Sequence, residues 1–304
     1  MTGRWRVLSL DGGGIKGVFS AAVLAELERM TGKRIVEHFD LIAGTSTGGI
    51  IAVALGLDVP ASQILELYQE KGTEIFRRTG LFPSLRGGLR ARHRSAPLRE
   101  ALRQIFGEKR LAEARCRLVV PAFDADSGQV HVFKTGHHPR IRQDPHELAV
   151  DVALATSAAP IFFPVHVSGP GKALIDGGVW ANSPVTVALL ECQHVLGWPI
   201  SRIDVLSVGT TFEPFHVPGR LFDLGLLRWR EKLVRLLLAA QQQAALAQAR
   251  LMVGDSLLRI DENVAPGRFK LDDTRQLREL RSMGITAARH FVHEVERRFL
   301  TRAV

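Results

Sequence analysis

The chain has 304 residues, of which 46% are hydrophobic and 23% are charged, a composition that is typical of globular proteins and excludes a disordered or low-complexity chain. The 40 basic residues outnumber the 31 acidic ones, and the resulting formal charge of +9 favours a polyanionic partner, either a membrane surface or a nucleotide. The 2 cysteines, Cys116 and Cys192, are too few for a disulfide framework.

The first part of the chain contains two strand–turn–helix units. Residues 7–10 are apolar and precede a run of glycines, after which apolar residues recur at helical spacing over residues 18–30. Residues 39–43 form a second short strand, and an apolar helix over residues 49–57 follows a tight turn. Two such units in succession predict a parallel sheet with helices on its faces.

Helices and strands continue to alternate through the rest of the chain. A loop over residues 80–96 carries several arginines, and the strands predicted at residues 117–123 and 129–134 pair with each other. No repeat or linker divides the chain, so we expect a single domain with a core at about residues 6–210 and a helical C-terminal extension at about residues 218–304. The other predicted helices cover residues 64–76, 97–106, 149–159, 184–196, 218–253 and 274–300, and the other strands cover residues 173–176, 203–209 and 257–260.

The sequence predicts neither a secretory signal nor a membrane-spanning segment. The N-terminal residues contain no apolar region typical of a secretory signal, which predicts a cytoplasmic protein. The longest strictly apolar stretch, residues 49–57, is far shorter than the ~20 residues that cross a bilayer. We therefore expect any membrane association to be peripheral.

Residues 44–48 read Gly-Thr-Ser-Thr-Gly, a GxSxG pattern that lies between a predicted strand and a predicted helix. In this context a serine is held on a tight turn with its hydroxyl exposed. Side chains at Gly44 and Gly48 would block the turn and the approach of a substrate. The helix that follows offers backbone N–H groups to developing negative charge, so Ser46 is a candidate nucleophile.

A second glycine-rich loop precedes the first helix. Residues 12–17 match the GxGxxG pattern of anion-binding loops at helix N-termini. A dinucleotide site needs an acidic residue after the second strand, whereas Asp40 precedes that strand, and a Walker loop needs Lys-Ser or Lys-Thr where Val18 follows. The third interpretation is an oxyanion hole, in which backbone N–H groups stabilise a tetrahedral intermediate. The glycines concerned are Gly12, Gly13 and Gly14.

A serine nucleophile requires a base, and no histidine lies in a sequence context typical of one. Asp176 instead follows an apolar predicted strand, a position from which it can reach the end of another parallel strand. A free aspartate has a pKa near ~3.9, so burial away from cations would have to raise the pKa of Asp176. The histidines expected to be structural or at the surface are His38, His93, His137, His138, His290 and His293.

Four segments together resemble the signature blocks of the patatin-like phospholipases. They read DGGGIKG at residues 11–17, GTSTGG at residues 44–49, ATSAAP at residues 155–160 and DGGVWANSP at residues 176–184, in the order typical of that family. The resemblance covers about residues 6–209 and is looser beyond. It implies a three-layer α/β/α sandwich with a mostly parallel central sheet, and catalysis by a Ser–Asp dyad without a metal or an organic cofactor.

The resemblance also implies a role for each matching residue. Ser46 would be the nucleophile and Asp176 the base of a phospholipase A-type acyl hydrolase, which works through an acyl-enzyme and its hydrolysis. Gly13 and Gly14 would supply the oxyanion N–H groups, and Gly12 would shape the turn. The other motif glycines are Gly17, which would allow close helix packing, and Gly44, Gly48, Gly177 and Gly178.

Other functions are compatible with these residues. The same dyad would serve a hydrolase of other acyl esters or thioesters, and a nucleotide-regulated binding module with a vestigial esterase site is an alternative of a different class. Small bacterial patatin-like proteins also act in antiphage signalling, where a cyclic nucleotide switches on lipid degradation. The resemblance therefore implies a cyclic nucleotide activator for this chain as well.

Two segments are candidates for contact with a phospholipid membrane surface, which the resemblance implies as the substrate. Apolar residues alternate with arginines in the loop at residues 80–96, and the helix at residues 222–240 has an apolar face opposite a basic one. A solvated loop and a helix packed on the core are the alternatives. We expect neither DNA nor RNA as a partner.

Overall fold

The computed structural model describes residues 3–77, 91–169, 171–214 and 226–301, with side chains described for all of these except residues 226–235. Eight strands in this part of the chain form one sheet. They are β1 (Trp5–Leu10), β2 (Leu41–Gly44), β3 (Arg117–Asp124), β4 (Gln129–Lys134), β5 (His166–Val167), β6 (Ala173–Asp176), β7 (Ile203–Val208) and β8 (Leu257–Ile260).

The sheet is mostly parallel in its central part. Its strands follow the order β5-β6-β3-β2-β1-β7-β8, and β4 pairs with β3 outside this path. The pairs from β3 through β2, β1 and β7 to β8 are all parallel. In contrast, β4 and β6 run antiparallel to β3, and β5 runs antiparallel to β6. The expected fold class is confirmed, with an antiparallel region at one side of the sheet.

Helices cover both faces of this sheet. Alternate side chains of a strand point to opposite faces, so Leu8 and Leu10 pack among the buried residues of α1, α2 and α9, whereas Val7 packs with those of α7 and α8. The helices are α1 (Gly17–Thr31), α2 (Thr47–Gly56), α3 (Ala61–Ile75), α4 (Ser95–Phe106), α5 (Ala149–Thr156), α6 (Gly178–Ala181), α7 (Val185–Leu190), α8 (Leu226–Val253) and α9 (Leu277–Phe299).

The C-terminal elements belong to the same core as the first two thirds of the chain. β8 extends the sheet beside β7, and α9 packs along α1. A Cβ atom at Gly284 of α9 would lie 2.5 Å from the carbonyl oxygen of Phe19, so this glycine permits the close approach of the two helices. Within the described residues, the helices are too short or too polar to span a bilayer.

Three elements differ from the sequence expectations. The helix expected at residues 184–196 is α7 followed by a π-helical turn at Glu191–Val195, where the buried Glu191 carboxylate accepts hydrogen bonds from Lys134 and His137. The helix expected at residues 149–159 ends at Thr156, and β5 was not expected. Most of the arginine-bearing loop, over residues 80–90, and the start of the long helix, over residues 218–225, lie outside the described residues.

Candidate active site

Ser46 lies on the turn that joins β2 to α2. Its backbone has φ 56° and ψ −123°, a left-handed conformation that is strained for a residue with a side chain. A Cβ atom at Gly44 would collide with the carbonyl oxygen of Gly48, and one at Gly48 would collide with that of Leu10 in β1. The glycine-flanked pattern therefore reflects a turn that packs directly against backbone on both sides.

Asp176 is the last residue of β6 and hydrogen-bonds to Ser46. Its Oδ2 atom accepts a hydrogen bond from the Ser46 hydroxyl at 2.6 Å, and its Oδ1 atom accepts one from the backbone N–H of Gly178 at 2.6 Å. The backbone of Asp176 is fixed by pairing with Ala122 of β3. Both carboxylate oxygens are thus held in one orientation, and the side chain is almost fully buried.

The surroundings of Asp176 make its carboxylate a stronger base than a free aspartate. Burial raises the pKa of Asp176 to about 7, although the hydrogen bonds from Ser46 and Gly178 act in the opposite direction. In the described part of the chain, no lysine, arginine or histidine side chain forms an ion pair with Asp176. A carboxylate with a pKa near neutrality can accept a proton from a hydroxyl during a reaction.

Thr156 connects the serine turn to the neighbouring strand. Its Oγ1 atom accepts the backbone N–H of Ser46 at 3.0 Å and donates to the carbonyl oxygen of Pro121 in β3 at 2.6 Å. The sequence placed this residue in the block at residues 155–160 without giving it a function. The fold shows that the block supplies a buried hydroxyl that fixes the backbone of the strained turn.

The glycine-rich loop runs from the end of β1 to the start of α1, and its three glycines line the same cavity as Ser46. The backbone N–H of Gly12 donates to the carbonyl oxygen of Asn182 at 2.9 Å. No hydrogen bond from the N–H groups of Gly13 or Gly14 is formed to any other described residue. These two N–H groups are therefore the ones in this loop that can bind a further acceptor.

The other motif glycines lie at close contacts between elements. Gly17 begins α1, and a Cβ atom there would collide with Thr47 at the start of α2. Gly177 follows Asp176 and lies against the carbonyl oxygen of Pro121. These contacts keep the glycine-rich loop, the serine turn and the aspartate at one end of the sheet.

A buried ion pair anchors the start of the glycine-rich loop. Asp11 accepts hydrogen bonds from Arg259 of β8 at 2.6 Å and from Gln242 of α8 at 3.0 Å. Arg259 also donates to Asp261 at 2.7 Å and to Ser207 at 2.6 Å. Although burial lowers the pKa of Arg259, the two carboxylates raise it above its usual value, so the guanidinium stays charged. Sequence analysis missed this arginine because its partner lies far away in the chain.

A cavity of about 410 Å³ opens above Ser46 and Asp176. Apart from these two residues and the glycine-rich loop, its walls are mainly aliphatic and aromatic, which suits a long apolar group. The phenylalanines in these walls are Phe76, Phe162, Phe163, Phe212 and Phe269.

Histidines and metal ligands do not contribute to this site in the described residues. His93 packs against Phe76 in the cavity wall, with its Nε2 atom 3.4 Å from Asp272. His137 lies 2.9 Å from Glu191, away from the serine turn. Across the described ranges, no group of three or more His, Cys, Asp and Glu side chains is placed to bind a metal ion.

The comparisons with known proteins agree with this architecture. A family model described as patatin-like phospholipase matches residues 8–189. A cGAMP-activated phospholipase of Pseudomonas aeruginosa is 38% identical over 275 residues, which cover 89% of this chain and 82% of the relative. A protein of the same description from Vibrio cholerae is 33% identical over 264 residues, which cover 78% and 74% of the two chains.

Among solved structures, VipD from Legionella pneumophila shares the fold, with a TM-score of 0.51 and 12% identity over 96% of this chain and 66% of VipD. The family match extends over more than half of the chain and includes the glycine-rich loop, the serine turn and the aspartate. The chain therefore belongs to the patatin-like phospholipase family and is a hydrolase that acts on lipids.

Proposed function

We propose that this chain hydrolyses acyl ester bonds of phospholipids, with Ser46 as the nucleophile and Asp176 as the general base. The observation that carries the proposal is the 2.6 Å hydrogen bond between Ser46 Oγ and Asp176 Oδ2, at the base of an apolar cavity. The pKa of Asp176, raised to about 7 by burial, matches this task at neutral pH.

The first step of the proposed mechanism forms an acyl-enzyme. Asp176 takes the proton of the Ser46 hydroxyl while Oγ attacks the ester carbonyl, which gives a tetrahedral intermediate with a negatively charged oxygen. The N–H groups of Gly13 and Gly14 are the candidates to bind this oxygen, because Gly12 already donates to Asn182. Collapse of the intermediate breaks the ester C–O bond, and the protonated Asp176 returns the proton to the leaving lysolipid oxygen.

The second step releases the fatty acid. Asp176, again ionised, accepts a proton from a water molecule as that water attacks the acyl-enzyme carbonyl. The resulting intermediate expels Ser46 Oγ, which recovers its proton from Asp176. One carboxylate thus serves both half-reactions, and the apolar walls of the cavity hold the acyl chain throughout.

The proposal is tested by mass spectrometry of the products formed from a mixed phospholipid extract. We expect free fatty acid together with the matching lysophospholipid, and neither with the Ser46→Ala protein. Cleavage of short soluble esters alone, with phospholipids left intact, would instead support a hydrolase of other acyl esters or thioesters. Release of a head group without fatty acid would contradict the assigned reaction.

Thr156 provides a prediction about the positioning of the nucleophile. Thr156→Val keeps the side-chain shape but leaves the Ser46 N–H and the Pro121 carbonyl without their partner. We expect kcat to fall about 10- to 100-fold with KM nearly unchanged, because a small displacement of a nucleophile is costly. Thr156→Ser retains the hydroxyl and should restore most of kcat. A Thr156→Val enzyme with wild-type kcat would show that the turn holds its geometry without this link.

We further propose that a cyclic nucleotide activates the enzyme. The support comes from the relatives in Pseudomonas aeruginosa, Vibrio cholerae and Escherichia coli, each described as a cGAMP-activated phospholipase, of which the first is 38% identical to this chain. The formal charge of +9 is consistent with a phosphate-bearing ligand.

Ligand-dependent unfolding of the Ser46→Ala protein tests this activation. A ligand that binds only the folded state at 100 times its Kd stabilises that state by about 2.7 kcal/mol, which raises the Tm measurably. We expect this rise with cGAMP or another cyclic dinucleotide, and none with the linear dinucleotide of the same bases. An unchanged Tm of Ser46→Ala across a panel of cyclic di- and trinucleotides, together with unchanged lipid hydrolysis by the parent enzyme, would overturn the proposal.

A further inference from the structure

Three of the apolar side chains that line the active-site cavity also face solvent. Ile161, Val179 and Leu237 line the cavity and are 53%, 39% and 51% exposed. They come from three separate elements of the chain, so their convergence is a property of the fold. Large hydrophobic residues are scattered singly on most protein surfaces, whereas a group around one opening indicates a binding face.

Ile161 belongs to the segment that directly follows the signature block at residues 155–160. Ile161 has φ 76°, a left-handed conformation that is unfavourable for a β-branched residue. Two backbone hydrogen bonds hold the segment, from Arg92 N–H to Ile161 O at 2.9 Å and from His93 N–H to Phe162 O at 2.8 Å. The fold thus maintains a strained backbone that leaves a large apolar side chain half exposed.

Exposed apolar side chains continue along the chain from Ile161 to the edge strand β5. Along this strand His166 is buried, so Val165 and Val167 point outward and are 49% and 63% exposed. Both valines line a second cavity of about 210 Å³, which shares Leu98 and Phe163 with the walls of the first. Residues 161–167 thus carry four exposed apolar side chains between the cavity and β5. Together with Val179 and Leu237 they are here called the apolar rim: Ile161, Pro164, Val165, Val167, Val179 and Leu237.

Basic side chains lie next to the apolar rim. The guanidinium of Arg92 lies 5.1 Å from the centre of the Phe162 ring, and Arg94 is exposed two residues further along. Asp272 lies 3.6 Å from Arg92 and partly offsets its charge. A surface that combines exposed apolar side chains with arginines fits an interface with anionic lipid headgroups.

We propose that the apolar rim docks on the surface of an anionic phospholipid bilayer, with the mouth of the cavity turned toward the lipid. This rests on the proposed function, because docking in this orientation lets an acyl chain pass from the bilayer to Ser46 without crossing water. A second copy of the chain is the other conceivable occupant. It would cover the cavity mouth, and β5 offers only His166–Val167 for strand pairing.

The test variant is Val165→Asp/Val167→Asp, since neither valine lines the active-site cavity. The control, Met30→Asp/Leu251→Asp, also places two aspartates at exposed apolar positions, 42% and 88% exposed. Both control positions are distant from the cavity. At the helical rise of about 1.5 Å per residue, Leu251 lies about 20 Å from Leu237 along α8, and Met30 lies a similar distance from the start of α1 beside the glycine-rich loop. A second variant, Val165→Thr/Val167→Thr, preserves side-chain shape and strand propensity. It controls for unfolding of β5 as the cause of any effect.

Binding is measured by flotation with vesicles of phosphatidylcholine and phosphatidylglycerol, with Ser46→Ala in every protein so that the lipid is not consumed. We expect the Asp variant to bind at least about tenfold more weakly than the control variant, and the Thr variant to fall between them. With Ser46 present, the Asp variant should lose hydrolysis of vesicle lipid while its Tm and its hydrolysis of a short soluble ester match those of the control.

Equal vesicle binding by the Asp and control variants would overturn the docking proposal. A dimer of the parent protein, detected by light scattering and disrupted only in the Asp variant, would also overturn it, since the apolar rim would then contact a second copy. The flotation measurement does not depend on catalysis. An absence of ester hydrolysis in the parent protein would therefore count against the proposed function and leave the docking result to be judged separately.

Discussion

Ser46→Ala is expected to reduce fatty-acid release from phospholipid by at least about 10³-fold, to the level of protein-free controls. The substitution removes the atom that forms the acyl-enzyme, whereas the glycine-rich loop and the apolar cavity remain. The backbone N–H of residue 46 keeps its hydrogen bond to Thr156, so the fold and the Tm should be preserved.

A fluorophosphonate probe measures the reactivity of Ser46 directly, because it labels only an activated serine. We expect labelling of the parent protein and none of Ser46→Ala. Ser183→Ala is the matched control, since Ser183 is a buried serine of another signature block that does not line the cavity. Labelling or hydrolysis that persists in Ser46→Ala would exclude Ser46 as the nucleophile, whereas a parent protein that is neither labelled nor hydrolytic would favour a vestigial site.

Asp176→Asn should lower kcat by about 10³- to 10⁴-fold, because the amide still accepts the Gly178 N–H but cannot take a proton from Ser46. In the parent enzyme, kcat/KM should rise with pH through an apparent pKa of about 7 and then level off, since only the ionised carboxylate is a base. A profile that is flat from pH 5 to pH 9, or activity retained by Asp176→Asn, would contradict this role.

Although Asp176→Asn should lower activity, it should raise the stability of the folded state at neutral and alkaline pH. Burial raises the pKa of Asp176 to about 7 in the folded state, above the unfolded value near 3.8, so the folded state favours the neutral carboxyl. This favourable contribution is complete below about pH 4 and is lost as the pH rises through about 7. At pH 8 the free energy of unfolding of Asp176→Asn should therefore exceed that of the parent by up to about 4 kcal/mol, with a higher Tm, whereas at pH 4 the two proteins should unfold at a similar Tm. Thermal melts at the two pH values separate this effect from a general change in packing.

The sequence predicted best those elements whose structure depends on neighbouring residues in the chain. The apolar strands at residues 7–10 and 203–209, and the glycine-flanked turn at Ser46, depend on short-range rules of spacing and backbone sterics. Their positions therefore agree with the structure to within a few residues. The approach of Asp176 to the serine turn was expected from strands that run parallel, and this reason is wrong. β6 runs antiparallel to β3, and its last residue, Asp176, pairs with Ala122 inside that strand, which brings the carboxylate to Ser46.

Features that depend on distant partners could not be predicted in this way. β5 has two residues, too few for a pattern of alternation, and it exists because β6 supplies a partner. The π-helical turn begins at Glu191, whose carboxylate accepts hydrogen bonds from Lys134 and His137 of another strand and turn. Thr156 carries no signal of its own for its contact with the Ser46 backbone, because that contact requires the assembled sheet.

The ion pair between Asp11 and Arg259 bears on how this family can diverge. The family match ends at residue 189, yet the side chains that hold the first residue of the glycine-rich loop come from α8 and β8, beyond that boundary. A chimera that joins the first two thirds of this chain to the C-terminal third of a relative would need a guanidinium at the position of Arg259. Without it, the transplanted segment would bury an unpaired carboxylate next to the nucleophile, so the two parts of the gene are constrained to evolve together.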